Sequence, residues 1–226
     1  MMTRRRSFLK NTGLGFATAL AAAVAVSPST AEENKPVKRK IIGINTSHRP
    51  GKTSTESLRY VLDAVQKIDA SFETELLELA TMRFGFPVFD GTQQPDDLDG
   101  VIAKLTADDC AGFVIASPVY MGLPTARCVA LLDRFQPLRK NFALKNKVCG
   151  LVAVASGRNG GQETVLHAMH NSLIAQQVLM AVDGPPTSHW GGTFWNQNDT
   201  VAGDEYGINI ARNLAARIVE LVKMQG

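Results

Sequence analysis

Cysteine is scarce in this chain of 226 residues, which contains only Cys110, Cys128 and Cys149. The three are odd in number and scattered, and they lack the close pairs that metal sites use. Each lies in or beside an apolar segment, so we expect small buried hydrophobic side chains. The sequence therefore gives no support to a disulfide framework or a cysteine-based metal site.

The chain also lacks a basic surface outside its first 31 residues. Four of its 24 Lys and Arg residues lie in that segment, and all 21 Asp and Glu residues follow it. Without the segment, 20 basic residues face 21 acidic residues, and the net charge is −1. We therefore expect no nucleic-acid partner.

Long hydrophobic runs are absent as well. The apolar segment from Gly13 to Val26 is shorter than the roughly 20 residues that a transmembrane helix needs. It follows a charged start and precedes small residues up to Ala31, which is the three-part pattern of an export signal. A retained membrane anchor is the alternative, but we expect cleavage after Ala31 and no stable membrane span after processing.

The charged start, Arg5-Arg6-Ser7-Phe8-Leu9-Lys10, closely resembles a twin-arginine signal. This resemblance implies recognition by the twin-arginine (Tat) export machinery, transport of an already folded protein and a periplasmic location. The route is typical of proteins that acquire a cofactor in the cytoplasm. We expect an export signal over residues 1–31, a linker over 32–39 and one folded domain over 40–226.

Apolar runs of strand length alternate with helical patterns in the folded part, and there is no internal repeat. This alternation predicts an α/β fold with a parallel sheet that helices cover on both faces. Thr53, Ser54 or Thr55 is the expected N-cap of the first helix. Strands are expected near residues 40–45, 73–79, 113–116, 147–155 and 178–182, and helices near 54–68, 96–105, 125–135, 163–177 and the carboxyl terminus.

The loop at residues 46–53, after the first strand, has the features of an anion site. The N–H groups and the positive dipole end of the next helix point at it, and Arg49 and Lys52 add charge, so we expect a phosphate group. A nucleotide P-loop is one alternative, because Gly51-Lys52-Thr53 matches the end of that motif, but Thr46 stands where its first glycine is required. A solvated turn is the other.

Two further loops follow buried strands. Pro118 ends strand pairing because it has no N–H, and beyond it Tyr120 and Gly122 suit a planar ligand. The third loop, at residues 156–162, combines glycines with the cation Arg158 and opens a helix. In an open parallel sheet such loops meet at the carboxyl ends of the strands, where ligands bind.

These loops resemble those of the NADPH-dependent FMN reductase family, a branch of the flavodoxin-like fold. Ser47 and Arg49 fit its phosphate loop, and Ser117-Pro118-Val119-Tyr120 with Gly122 and Asp133-Arg134 resembles its flavin-ring loop and the following helix. Gly160-Gly161-Gln162-Glu163 resembles the third loop of related iron-sulfur flavoproteins. The resemblance implies a three-layer sandwich with a five-stranded parallel sheet.

The chain departs from the iron-sulfur relatives before the Gly112 strand. Where they carry a tight cysteine cluster it has Met82, Phe84 and Phe86, so we expect no cluster. Phe84, Phe86 and Phe89 are interpreted as a loop packed on the core. In the phosphate loop, His48, Pro50 and Lys52 replace the residues that are usual in the family.

The resemblance implies non-covalent FMN, with its phosphate in the first loop, its ring against Tyr120-Met121-Gly122 and its pyrimidine edge near the third loop. The chemistry then takes place on the flavin, and no catalytic side chain is expected. Arg158 and the backbone N–H groups of 157–161 would favour the anionic reduced ring. The expected cofactor-binding residues are Ser47, Arg49, Lys52, Thr53, Ser54, Pro118, Val119, Tyr120, Met121, Gly122, Ser156, Gly157, Arg158, Gly160, Gly161 and Gln162.

Five aromatic or imidazole side chains fall outside these loops. His189, Trp190 and Trp195 lie in a Gly/Pro/Trp-rich connection, 183–198, where they either cover the ring or form a surface plug. His167 and His170 are three residues apart on a helix without a third ligand, and we interpret both as structural.

The function implied is an exported FMN oxidoreductase that takes electrons from NADPH or NADH and reduces a small acceptor, a quinone or another flavin. The resemblance also implies a homodimer or homotetramer. The alternative is a non-enzymatic electron carrier or flavin-binding module that a membrane or periplasmic partner serves. It stays open because reduced nicotinamide is not expected to be abundant outside the cytoplasm.

Overall fold

Strands and helices alternate along residues 39–225, the part of the chain that the computed structural model describes. The strands are β1 (Lys40–Asn45), β2 (Glu73–Glu78), β3 (Cys110–Pro118), β4 (Val148–Ala155), β5 (Leu179–Ala181) and β6 (Gly192–Trp195). The helices are α1 (Thr53–Ile68), α2 (Asp97–Thr106), α3 (Ala126–Arg134), α4 (Gln162–Ile174) and α5 (Glu205–Lys223). The expected export signal lies outside the described residues.

The strands form one parallel sheet in the order β2-β1-β3-β4-β5. One apolar cluster packs α1 and α5 against the sheet, through residues such as Leu58, Val61 and Leu214. A second cluster on the other face includes Leu98, Leu131 and Leu166 from α2, α3 and α4. The expected three-layer α/β sandwich of the flavodoxin-like type is confirmed.

The edge of the sheet differs from the expectation of five strands. β5 pairs with Val148–Gly150, and β6 pairs in parallel with Val152–Ala155, so two short strands follow one another along β4. Gly192 lies so close to β4 that an added Cβ would be 2.9 Å from a Val152 methyl carbon. Part of the connection expected to be a loop is therefore a sixth strand.

The helix caps agree with the sequence except at α1. Asp96 and Asp99 form a capping box at α2, and Thr125 accepts a hydrogen bond from the Cys128 N–H at α3. At α1 the N-cap is Lys52, whose side chain makes no cap hydrogen bond. The prediction that Thr53, Ser54 or Thr55 caps this helix is wrong, because all three lie inside it.

The aromatic loop after β2 is only partly packed. Phe84 is half-buried against the core, under the Arg127 guanidinium at 5.1 Å. Phe86 and Phe89 are 74% and 61% exposed, so the expectation of a packed loop is wrong for them. Polar turn contacts organise this segment instead, such as the hydrogen bond from the Val88 N–H to Gln93.

The three cysteines are buried free thiols, as expected. Burial raises the pKa of Cys110 to about 11 and that of Cys128 to about 12, and it raises the pKa of Cys149 well above its ordinary range. Thiols held neutral in this way are poor nucleophiles and poor metal ligands. No helix within residues 39–225 is long and apolar enough to cross a membrane.

Candidate functional site

The loops after β1, β3 and β4 meet at the carboxyl edge of the sheet. The Thr46 hydroxyl donates to the Ala116 carbonyl at 2.8 Å, and the Thr125 hydroxyl donates to the Thr46 carbonyl at 2.7 Å. The Val119 N–H donates to the Val154 carbonyl at 2.8 Å, which ties the second loop to β4. The sequence-predicted loops are therefore brought together around the point where β1 and β3 lie side by side.

Glu78, the last residue of β2, holds the first loop through hydrogen bonds. Its carboxylate accepts hydrogen bonds from Asn45 Nδ2 at 2.7 Å, from the Thr55 hydroxyl at 2.5 Å and from the Gly51 N–H at 3.3 Å. Asn45 Oδ1 in turn accepts the Ser47 N–H at 2.9 Å. Glu78 and Asn45 thus fix both ends of the loop.

The amino terminus of α1 carries polar groups without a protein partner. Thr53, Ser54 and Thr55 are buried, and the Ser54 hydroxyl oxygen has no hydrogen-bond partner. The first N–H groups of a helix also lack partners within the helix. With no capping side chain, this end of α1 offers donors that an oxyanion would satisfy.

Two predicted phosphate-binding cations are joined by an acid that the sequence analysis did not single out. Arg49 and Lys52 each donate to one oxygen of Asp199 at 2.8 Å. The Lys52 hydrogen bond, followed by that of Arg49, lowers the pKa of Asp199. The three side chains Arg49, Lys52 and Asp199 together carry a net charge of +1.

The second loop is a tight turn. Tyr120 and Leu123 exchange backbone hydrogen bonds of 3.0 Å, and the two residues between them, Met121 and Gly122, have φ of 53° and 77°. Glycine accepts such values without strain, whereas methionine does so rarely. Met121 is 98% exposed, so the loop presents an apolar tip.

The third loop is shaped by Gln162. Its amide nitrogen donates to the carbonyls of Gly157 and Phe194 at 2.7 and 3.0 Å, and its oxygen accepts the Gly160 N–H. Both ends of this side chain are used inside the protein, so Gln162 holds the loop. Gly161, with φ of 94°, approaches the second loop, and an added Cβ would lie 3.4 Å from Val119.

Arg158 lies on the other side of this loop. It pairs with Asp204, donates to the Thr193 carbonyl at 3.2 Å and stacks over Tyr206 at 5.3 Å. Its charge is therefore balanced by a buried carboxylate. Behind the loop lies a cavity of about 270 Å³, which Arg158, Glu163 and His189 help to line.

The aromatic residues of the 183–198 connection separate into two groups. Trp195 donates its indole N–H to the Ser156 carbonyl at 3.1 Å, so it touches the third loop. Trp190 packs on His167 at 4.8 Å, and its carbonyl lies 3.0 Å from His170 Nε2. These contacts agree with structural histidines, and no group of three metal-binding side chains occurs within residues 39–225.

Another cleft lies at the opposite edge of the sheet. It measures about 780 Å³ and is lined by residues such as Asp69 and Lys223, which pair with each other at 2.7 Å. It contains neither an unsatisfied helix amino terminus nor a glycine-rich loop. We therefore place the candidate site at the carboxyl edge, where those features converge.

Glu78 and Asp199 are the main residues that sequence reasoning missed. Glu78 ends a strand whose register sets it beside Asn45, so its position follows once the parallel pairing is known. Asp199 belongs to an Asn-Asp turn, and Asn and Asp are among the residues that favour turn positions with positive φ. That signal predicts the turn, but not its contact with Arg49, 150 residues away.

The strand order defines a flavodoxin-like α/β protein, and the candidate anion site lies at the carboxyl ends of its strands. Residues 39–184 match the family described as NADPH-dependent FMN reductase. The chain belongs to this family.

Relatives and solved structures agree with this assignment. An iron-sulfur flavoprotein of Methanocaldococcus jannaschii is 35% identical over 199 residues, which cover 82% of this chain and 98% of the relative. An iron-sulfur flavoprotein of Methanosarcina thermophila is 32% identical, with coverage of 82% and 96%. RosB, solved with the bound intermediate 8-demethyl-8-formylriboflavin-5'-phosphate, superposes with a TM-score of 0.67 at 19% identity over 82% of this chain and 79% of RosB, a likeness of fold.

Proposed function

We propose that this protein is an FMN-dependent oxidoreductase that takes electrons from NADPH or NADH and passes them to a small acceptor such as a quinone or a flavin. The observation that carries the proposal is the uncapped amino terminus of α1 with the unpartnered Ser54 hydroxyl. It lies beside two glycine-containing loops in a chain of the FMN reductase family.

The residues fit a flavin nucleotide. Ser47, Ser54 and the first N–H groups of α1 would hold the phosphate, with Arg49 and Lys52 adding charge. The Tyr120–Gly122 turn and the backbone of 157–161 would bound the ring. FMN itself would supply the two-electron chemistry, and the protein's part is to bind, orient and surround it.

We propose that FMN is the only prosthetic group, although the relatives named above are iron-sulfur flavoproteins. A four-cysteine cluster requires thiolate ligands. This chain has three cysteines, and burial holds all three as neutral thiols. Met82, Phe84 and Phe86 offer no such ligands.

We further propose export through the twin-arginine route to the periplasm and assembly into a homodimer or homotetramer. The support for export is the sequence of residues 1–31. The support for assembly is the family resemblance, together with exposed apolar side chains such as Met121, Leu123 and Val129 near the site.

Rapid mixing of the FMN-loaded protein with NADPH and with NADH tests the enzymatic part. The proposal predicts fast loss of the flavin absorbance with one donor or both, followed by its return when a quinone is added. If neither NADPH nor NADH bleaches the flavin, the proposed reductase activity is overturned and a non-enzymatic electron carrier is favoured.

A further inference from the structure

The carboxylate of Asp199 bridges the two cations of the first loop. Its Oδ1 lies 2.8 Å from Arg49 Nη1, and its Oδ2 lies 2.8 Å from Lys52 Nζ. The side chains of Arg49 and Lys52 are 51% and 49% exposed. Such long side chains have many rotamers in solvent, so a shared carboxylate restricts both at once.

The turn that presents Asp199 is itself fixed. Asn198 and Asp199 have φ of 54° and 65°, and Gln197 and Thr200 exchange backbone hydrogen bonds of 2.8 and 3.3 Å around them. Glu56 accepts hydrogen bonds of 2.9 Å from the Thr200 hydroxyl and the Val201 N–H. Because Glu56 lies in the first turn of α1, this turn is anchored to the helix whose amino terminus forms the anion site.

The bridge leaves most donors of both cations available. Arginine has five N–H donors and lysine has three, and each uses one here. Because Asp199 neutralises only one of the two cations, the trio of side chains keeps a net charge of +1. We infer that Asp199 is a positioning residue that orients Arg49 and Lys52 toward the phosphate of the flavin nucleotide, an inference that rests on the proposed FMN binding.

Asp199 would also repel the phosphate. We expect this repulsion to change FMN affinity less than the positioning of Arg49 and Lys52 does. The Asp199 side chain is 41% exposed, and interactions of exposed charges are screened by water and salt. Asp199 orders the two long side chains through direct hydrogen bonds of 2.8 Å, which act at much shorter range. Removal of the carboxylate should therefore weaken FMN binding.

The test is titration of the full-length chain and of Asp199→Asn with FMN and with riboflavin, which lacks the phosphate. Asp199→Asn should bind FMN about tenfold more weakly, a change of about 1.4 kcal/mol, and riboflavin as the wild type does. Asp63→Asn, which removes an exposed charge from the middle of α1, is the matched control and should change neither. In the Arg49→Gln/Lys52→Gln background, Asp199→Asn should have little further effect.

Unchanged or tighter FMN binding by Asp199→Asn would overturn the inference, as would an equal loss for FMN and riboflavin. Failure of the wild type to bind FMN at all would instead overturn the proposed function, and the inference with it. The melting temperature of each variant without flavin separates a change at the site from a loss of fold.

Discussion

His48 and Tyr120 lie nearly parallel, with ring centroids 5.8 Å apart and an angle of 9° between the planes. His48 belongs to the loop after β1, and Tyr120 belongs to the turn after β3. The contact therefore joins the candidate anion-binding loop to the turn that would face the flavin ring. Tyr120 remains 42% exposed and accessible to a ligand.

Removal of the contact between His48 and Tyr120 should weaken flavin binding whether or not the flavin carries a phosphate. His48→Ala should lower the affinity for FMN and for riboflavin alike, by a few-fold, because aromatic pairs contribute about 0.5–1.5 kcal/mol. His48→Phe keeps the ring and should bind both flavins nearly as the wild type does. Fluorescence titration measures both, and a loss confined to FMN would contradict a role through Tyr120.

Ser54 should affect stability and binding in different ways. Its buried hydroxyl has no partner, so Ser54→Ala should leave the unfolding free energy of the flavin-free protein unchanged or raise it. The same change should weaken FMN binding about tenfold, because it removes a hydrogen bond to a charged group.

Ser57 provides the matched control for Ser54. Its buried hydroxyl donates to the Thr53 carbonyl at 2.7 Å in the same helix. Ser57→Ala should leave FMN binding nearly unchanged. Urea unfolding and FMN titration of both variants check the contrast, and a Ser54→Ala variant with normal FMN affinity would remove Ser54 from the phosphate site.

Glu78 should matter for the shape of the first loop. Its carboxylate holds Asn45, Thr55 and Gly51, and an amide cannot accept from all three. Glu78→Gln should lower the unfolding free energy by about 1–3 kcal/mol and weaken FMN binding. Denaturant titration with and without FMN measures both, and a fully stable variant would contradict the bracing role.

Gly160 should tolerate no side chain. A Cβ there would lie 2.6 Å from the Ala155 Cβ and 2.9 Å from the Gly157 carbonyl oxygen, whereas a Cβ at Gly157 would meet open space. Gly160→Ala should therefore cost about 1–3 kcal/mol of stability, and Gly157→Ala should fold as the wild type does. Thermal unfolding compares the two variants, and equal melting temperatures would show that the loop can relax.

An ion pair between α1 and α5 should give the stability a pH dependence. Asp69 pairs with Lys223 at 2.7 Å, and the pKa of Asp69 is lowered from 3.8, first by Lys223 and then by Ser71. A lowered carboxyl pKa stabilises the fold above its unfolded value, and the contribution is lost as the pH falls toward the folded value. The wild type should melt above Asp69→Asn at neutral pH, and the difference should begin to narrow at about pH 4 and shrink further as the pH falls toward the folded pKa. If the difference in melting temperature stays constant across this pH range, the Asp69–Lys223 pair is not its cause.

The main fold and the three loops could be predicted because their signals are local. The run Phe113–Ala116 followed by Pro118 predicts a strand and its end, and Asp96 predicts the start of α2. Strand β6 could not be found in this way, since Gly192–Trp195 has only four residues, two of them glycine or threonine, and depends on pairing with β4.

The loops of the candidate site could be predicted from the sequence, but the residues that hold these loops in place could not. Ser54 and Arg49 belong to a local pattern of a strand, a polar loop and a helix. Asp199 and Glu78 act on that loop from other parts of the chain, through contacts that appear only once the sheet is assembled. The absence of a side-chain cap at α1 could not be predicted from the sequence either, because the Thr55 hydroxyl donates to the distant residue Glu78.

Uptake of FMN by the full-length chain tests the central claim most directly. Titration of the flavin-free protein, followed by quenching of FMN fluorescence, should show one FMN per chain, with tighter binding than riboflavin and weaker binding by Ser54→Ala. Failure to bind FMN, or equal binding of FMN and riboflavin by the wild type, would contradict a phosphate site at the amino terminus of α1.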